Sequence, residues 1–239
     1  MHIPDMMFTG AVCPTTGALA AIGVAGAAYA AYKTKVKPAI ALFAGVTALV
    51  FVAQMVNYPI LTDTSGHLLG ATLAVALLGS AFGIMAMSTV VITQCLVLGD
   101  GGLTMLGANL LNIALLASLP AVLVREWLGA KRSMYVAAAF LSTLVAATAC
   151  AVQLAIAGVA PILSVLPAML SVHALIALAE AGLTLGLLVV LAQTMTRVTP
   201  QRAWIAPLAI AVVVLLLVPF AATTPDGLES VADKLGFAL

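Results

Sequence analysis

Charge is what this sequence has least of. Asp, Glu, Lys and Arg make up 7% of 239 residues, against about a quarter in a soluble domain. With 64% hydrophobic residues and a mean hydropathy of +1.24, the chain lacks the polar material to cover its own surface, so lipid is its solvent. The net charge of +1 leaves no basic footprint for nucleic acid. Three cysteines, Cys13, Cys95 and Cys150, form no C-x-x-C and imply no disulfide framework; they read as small packing residues. No Lys or Arg precedes Lys33, so the opening lacks the positive n-region of a secretory signal and is expected to be retained. There is no G-x-x-x-x-G-K-[ST] loop, so the chain does not itself hydrolyse ATP. An intramembrane hydrolase, which Ser65 and His67 would suggest, is opposed by the lack of G-x-S-x-G and of paired intramembrane Asp.

What is present is a series of apolar runs. Spans of roughly 20 residues are predicted at Thr16–Tyr32, Pro38–Asn57, two within Leu68–Leu98 divided near Gly79–Gly83, Leu103–Val124, Ser133–Ala157, one within Ile162–Met195, and Ala203–Phe220. Pro167 is expected to mark a surface helix ahead of the seventh span. A polar loop, Tyr58–His67, separates the second and third spans. The 31 residues of Leu68–Leu98 allow two crossings of only about 23 Å each. Charge supports counting both. With eight crossings, Lys33, Lys35, Lys37, Arg125, Lys131, Arg132, Arg197 and Arg202 share one side and only Lys234 lies opposite. Basic residues near span ends mark the cytoplasm. The expected fold is therefore an all-α, polytopic membrane helical bundle of about eight transmembrane helices, with both termini extracytoplasmic. It would sit as a multi-pass protein in the inner (plasma) membrane.

This topology places the amino terminus, His2 and the loop ending in His67 on one outer side. The α-amine of Met1, the His2 backbone amide and His2 Nδ1 can close a five- and a six-membered chelate ring in one plane, and His67 can complete a square. Planar four-nitrogen ligation suits Ni(II), with Co(II) and Cu(II) also compatible. Mg(II) and Ca(II) want oxygen and Zn(II) wants a tetrahedron. Asn57, Thr62, Asp63, Thr64 and Ser65 are candidates to support the loop imidazole. His173 lies mid-membrane with Glu180 seven residues on, which shares one helical face. Intramembrane ionisable groups default to functional hypotheses, here either a hydrogen-bonded pair that positions the helix or a metal-coupling role. Asn109 and Asn112 are read as interhelical glue. Met6, Met7 and Met55 are read as apolar packing.

These residues resemble the CbiM/NikM family, the metal-specific S components of energy-coupling-factor transporters. The similar blocks are Met1-His2-Ile3-Pro4-Asp5, Gln54–Pro59 with Thr64–Gly70, Leu98–Thr104 with Leu106–Asn109 and Asn112, and Val172–Ile176 with Glu180 and Thr184. The resemblance spans about residues 1–200. It implies Ni(II) or Co(II) as transported substrate, bound by the Met1 amine, the His2 amide and imidazole, and His67. It also implies a transmembrane coupling (T) subunit and cytoplasmic ATPase subunits as partners. Residues 201–239, a helix followed by Pro225-Asp-Gly-Leu-Glu229, resemble the CbiN/NikN companion component, so the chain is read as a fusion of the two. It departs from the pattern twice. Met6 stands where the family has Gly, so the turn behind the site is expected to differ, and the companion's second helix is lacking. The weighed alternatives are the same role with cobalt for corrinoid synthesis, and a non-transporting membrane metal sensor.

Overall fold

The computed structural model describes residues 2–238. It is helical apart from one hairpin. The helices are α1 (Val12–Lys33), α2 (Ile40–Gln54), α3 (Ala71–Leu78), α4 (Ser80–Thr93), α5 (Leu106–Asn109), α6 (Leu119–Trp127), α7 (Arg132–Ile156), α8 (Ile162–Met195), α9 (Ile205–Leu215) and α10 (Gly227–Leu235). Strands β1 (Tyr58–Leu61) and β2 (Thr64–Gly66) pair antiparallel. In lipid each backbone amide must find its partner within the protein, and helices do this within one segment. α4 runs on through a π-helical turn, Gln94–Leu98, and α5 runs through π and 3-10 turns, Leu110–Ser118, into α6.

Five of these stretches are long and apolar enough to cross a membrane: Val12–Lys33, Ser80–Leu98, Leu106–Trp127, Arg132–Ile156 and Ile162–Met195. α2 and α9 are apolar but shorter. The expected pair of crossings within Leu68–Leu98 is uneven. The break falls at Gly79, whose φ of +91° favours glycine. It leaves α3 with 8 residues, about 12 Å. That is too short to span a hydrocarbon core alone. The missing length comes from the hairpin and its following loop. Every residue from Thr64 to Ala71 is buried, so the expected outer loop in fact enters the bundle.

A second expectation is corrected at Pro167. α8 is one helix of 34 residues with Pro167 inside it, not a surface helix followed by a span. Proline is tolerated there because neighbours in a bundle can re-satisfy the freed carbonyl. At roughly 1.5 Å per residue α8 exceeds the bilayer core, and its first half extends beyond the short crossings. That half carries Val165, Met169, Val172 and Ile176, which share a core with Leu228 and Val231 of α10.

The tail is also more ordered than a polar extension. Asp226 caps α10, accepting from Leu228 N and Glu229 N, while Glu229 accepts from Asp226 N, a capping box. Gly236 ends the helix at φ +76°. The apolar side of α10 lies on α8 and the hairpin.

Polar pairs and small residues hold the helices. Asn112 and Gln153 exchange two amide hydrogen bonds at 2.9 and 2.7 Å, the interhelical role expected of Asn112. Gly107 sits where a Cβ would lie 2.5 Å from Gly17 Cα, and Gly83 where one would lie 2.6 Å from Val75 Cα. Both close approaches are to backbone, which cannot yield by a rotamer change. Gly83→Ala should therefore push α3 and α4 apart and cost about 1–3 kcal/mol, read as a lower melting temperature in detergent. An unchanged melting temperature would show that α3 is free to shift.

Candidate metal centre

His2 and His67 come together although 65 positions apart, with ring centroids 5.8 Å apart and planes inclined by 20°. Both are buried. Met1, whose amine the sequence offers as a ligand, lies outside the described residues. Among the described residues, no three His, Cys, Asp or Glu side chains converge to hold a metal.

The amino-terminal segment is fixed by the loop between α4 and α5. Asn109 donates Nδ2–H to the Ile3 carbonyl at 3.0 Å and accepts the Ile3 amide at 2.8 Å. The Gly102 amide donates to the same Ile3 carbonyl at 3.1 Å. Asp5 accepts from the Thr104 amide at 2.9 Å and its hydroxyl at 2.6 Å, and these bonds hold the exposed carboxyl below the ordinary Asp range. A Cβ at Gly102 would lie 2.1 Å from Asp5 Cα, so only glycine allows this approach. Asn109, expected to be interhelical glue, instead anchors the terminal strand. Ile3, Met7 and Phe8 then enter the core. Met6 follows with φ +60°, the left-handed region where glycine is at ease and a side chain costs about 1–2 kcal/mol.

The loop imidazole is held from the opposite side. Glu180 accepts the Leu69 amide at 2.6 Å and the Gly70 amide at 2.9 Å, while Gln54 donates to the Leu69 carbonyl at 2.6 Å. The expected His173–Glu180 pair is not formed. Glu180 clamps the loop two residues beyond His67, and His173 Nδ1 donates to the Met169 carbonyl of its own helix at 2.8 Å. His67 Nδ1 faces the Leu68 carbonyl at 3.1 Å. A carbonyl only accepts, so Nδ1 carries the proton and Nε2 the lone pair that a metal needs.

The residues offered as supports for His67 serve the tail instead. Thr64 Oγ1 meets Ser230 Oγ at 2.7 Å, and Ser65 donates Oγ–H to the Thr224 carbonyl at 2.7 Å and its amide to the Pro225 carbonyl at 2.8 Å. The Asn57 carbonyl accepts the Ala222 amide at 2.8 Å. Asp63 pairs with Lys234 at 3.3 Å. These bonds strap residues 222–234 over the hairpin. They bring Asp226 and Gly227 to a cavity of about 20 Å³ that His67, Thr143 and His173 also line. That is room for about one water, and two buried atoms facing no partner, His173 Nε2 and Thr143 Oγ1, suit one. Gly227 is required there, since a Cβ would lie 2.9 Å from His173 Nε2.

Burial holds both His2 and His67 well below the ordinary imidazole range, so both stay neutral and able to ligate. Burial alone would raise the Asp226 carboxyl, but nearby positive charge and hydrogen bonds outweigh it and keep it ionised. Asp100 Oδ2 lies 3.4 Å from His2 Nδ1. The sequence reading missed Asp226 as a neighbour of His67 because 159 residues separate them. It missed Gln94, a buried amide beside His2, because a glutamine within an apolar run carries no motif.

The CbiM family model, described as a cobalt uptake substrate-specific transmembrane region, matches residues 2–198. A protein of Archaeoglobus fulgidus named as a fused nickel transport protein, NikMN, is 34% identical over 226 residues, covering 91% of this chain and 74% of its own length. One of Lactiplantibacillus plantarum named as a fused nickel transport protein, LarMN, is 30% identical over 264 residues, covering 95% and 75%. A crystal structure of a transition metal transporter superposes with a TM-score of 0.72 at 26% identity, over 82% of this chain and 94% of that one.

Substitutions at two positions test this construction. Glu180→Gln leaves one of the two loop amides facing an NH₂ group, so Ni(II) affinity by calorimetry should fall roughly 10–100-fold; wild-type affinity would detach Glu180 from the site. Met6→Gly should keep Ni(II) binding, while Met6→Val, β-branched at positive φ, should weaken it. Equal binding by the two would show that the turn is not constrained.

Proposed function

We propose, from the premise that this chain belongs to the CbiM family, that it is the metal-capturing S component of an energy-coupling-factor importer for Ni(II) or Co(II). Membership makes it a multi-pass membrane protein of metal transport and sets it outside the enzymes. The finer reading is that the Met1 amine, the His2 amide, His2 Nδ1 and His67 Nε2 bind the ion in one plane. The observation that carries it is the approach of two neutral imidazoles at 5.8 Å where no side-chain-only cluster exists among the described residues. An ion in this plane displaces the amide proton, so its affinity falls as pH falls. The deprotonated amide with Asp100 and Asp226 nearby would balance the dication.

A coupling subunit and separate ATPases would power transport, since the sequence carries no nucleotide loop. Both termini and the site would face the extracytoplasmic side. One observation supports this: Thr34, Gly79 and Arg125 line one cavity, so the ends of α1, α3 and α6 near Lys33 and Arg125 lie together, as one-sided basic charge requires. Residues 201–239 would act as the built-in companion component, which their bonds to the hairpin support.

The amine is the ligand most easily removed. N-terminal acetylation or a retained formyl group should abolish Ni(II) binding, measured as metal content of the purified protein. Tight binding by the blocked protein would contradict the chelate. Inserting one residue before His2 supplies a fourth terminal nitrogen, so metal should still bind while cellular nickel uptake drops to background. Normal uptake would remove His67 from the mechanism.

A further inference from the structure

Metal ligation by one imidazole nitrogen leaves the other to be satisfied. A ligating histidine as a rule donates its second N–H to an acceptor that fixes both tautomer and ring orientation. His67 already meets this requirement in reverse, its Nδ1–H facing the Leu68 carbonyl. His2 has the opposite need. The terminal chelate uses Nδ1, so Nε2 must carry the proton. Nε2 is buried and meets no hydrogen-bonding partner in this geometry.

The polar side chain that acts on this ring from inside the bundle is Gln94. It is completely buried, and both its Oε1 and its Nε2 lack an aligned partner. Three polar atoms from two neighbouring side chains are thus buried and unpaired together. Two of the three can relieve each other, the His2 Nε2–H as donor and the Gln94 Oε1 as acceptor. The backbone places Gln94 for this. It opens the π-helical turn Gln94–Leu98 that ends α4, and such turns recur at functional sites. The Gln94 carbonyl accepts the Asp100 amide at 3.2 Å, after Gly99 turns the chain at φ +68°. One residue therefore ties the inner support of His2 to Asp100, which lies against its outer nitrogen at 3.4 Å.

We propose that Gln94 is a positioning residue for the metal ligand His2: its Oε1 accepts the Nε2–H, fixes the ring and leaves the Nδ1 lone pair for the ion. The inference rests on the terminal chelate proposed above. A terminal oxygen at this length is the essential feature, so glutamate should substitute and shorter or apolar side chains should not.

The test uses the full-length protein with a free amino terminus, and Ni(II) alone as the probe. Wild type should show the d–d absorption band of a planar four-nitrogen complex. Gln94→Met keeps the length and removes the acceptor; Gln94→Asn keeps the amide and shortens it. Both should bind Ni(II) roughly 10–100-fold more weakly, with the band broadened or shifted as His2 loses its fixed orientation. Gln94→Glu should restore affinity to near wild type and move the band to shorter wavelength, because a charged acceptor makes the imidazole a stronger donor. A merely structural role for Gln94 would give no such spectral order. Should Gln94→Met fail to fold, the comparison of the Asn and Glu variants decides alone. Wild-type affinity and spectrum in Gln94→Asn, or no recovery in Gln94→Glu, overturns the assignment. Lack of a planar complex in the wild type itself would instead overturn the chelate on which it rests.

Discussion

A stretch of non-helical backbone can lie inside an apolar bundle only if its amides and carbonyls are satisfied there. The loop after β2 meets that condition through Glu180, whose two carboxylate oxygens take the Leu69 and Gly70 amides, and through Gln54 on the Leu69 carbonyl. Much else follows from this clamp. It lets α3 be short, it brings the hairpin inward, and it sets His67 at a depth where burial keeps its imidazole neutral. An ionisable side chain within a span is costly, and in α8 it serves to satisfy a loop that would otherwise be excluded from the membrane.

Both ends of the chain are then tied in. The amino-terminal segment is bound through Ile3 and Asp5 to α5 and the loop before it. The tail is bound through Thr224, Pro225 and Ser230 to β2. Glycines make each approach possible: Gly102 under Asp5, and Gly227 against His173. In an apolar solvent, helix association gains little from the hydrophobic effect and depends on packing and hydrogen bonds. The surroundings of His2 and His67 are accordingly built from directional polar contacts between backbone and single buried side chains.

What the sequence made legible followed from chemistry local to a few residues. Three histidines in 239 residues left His2 few partners, and His67 is the one it meets. The apolar runs and the one-sided basic residues ordered the crossings. What was not legible depended on contacts across the bundle. Glu180 and His173 share a helical face, which suggested a pair, but the loop reached Glu180 first. Thr64 and Ser65 lie just before His67, which suggested support for it, but the Ser230 hydroxyl and the Thr224 carbonyl of the tail engage them instead. Gln94 and Asp226 carried no local sign of a role, because their partners lie 92 and 159 residues away.

The central claim is that the first peptide unit and a clamped loop imidazole enclose a transition metal in one plane of nitrogens. X-ray absorption at the nickel edge of the Ni(II)-loaded, full-length protein tests it most directly. The account predicts a four-coordinate planar shell of nitrogen only, with the scattering signature of two imidazoles. A six-coordinate shell containing oxygen, or a shell with a single imidazole, would contradict it.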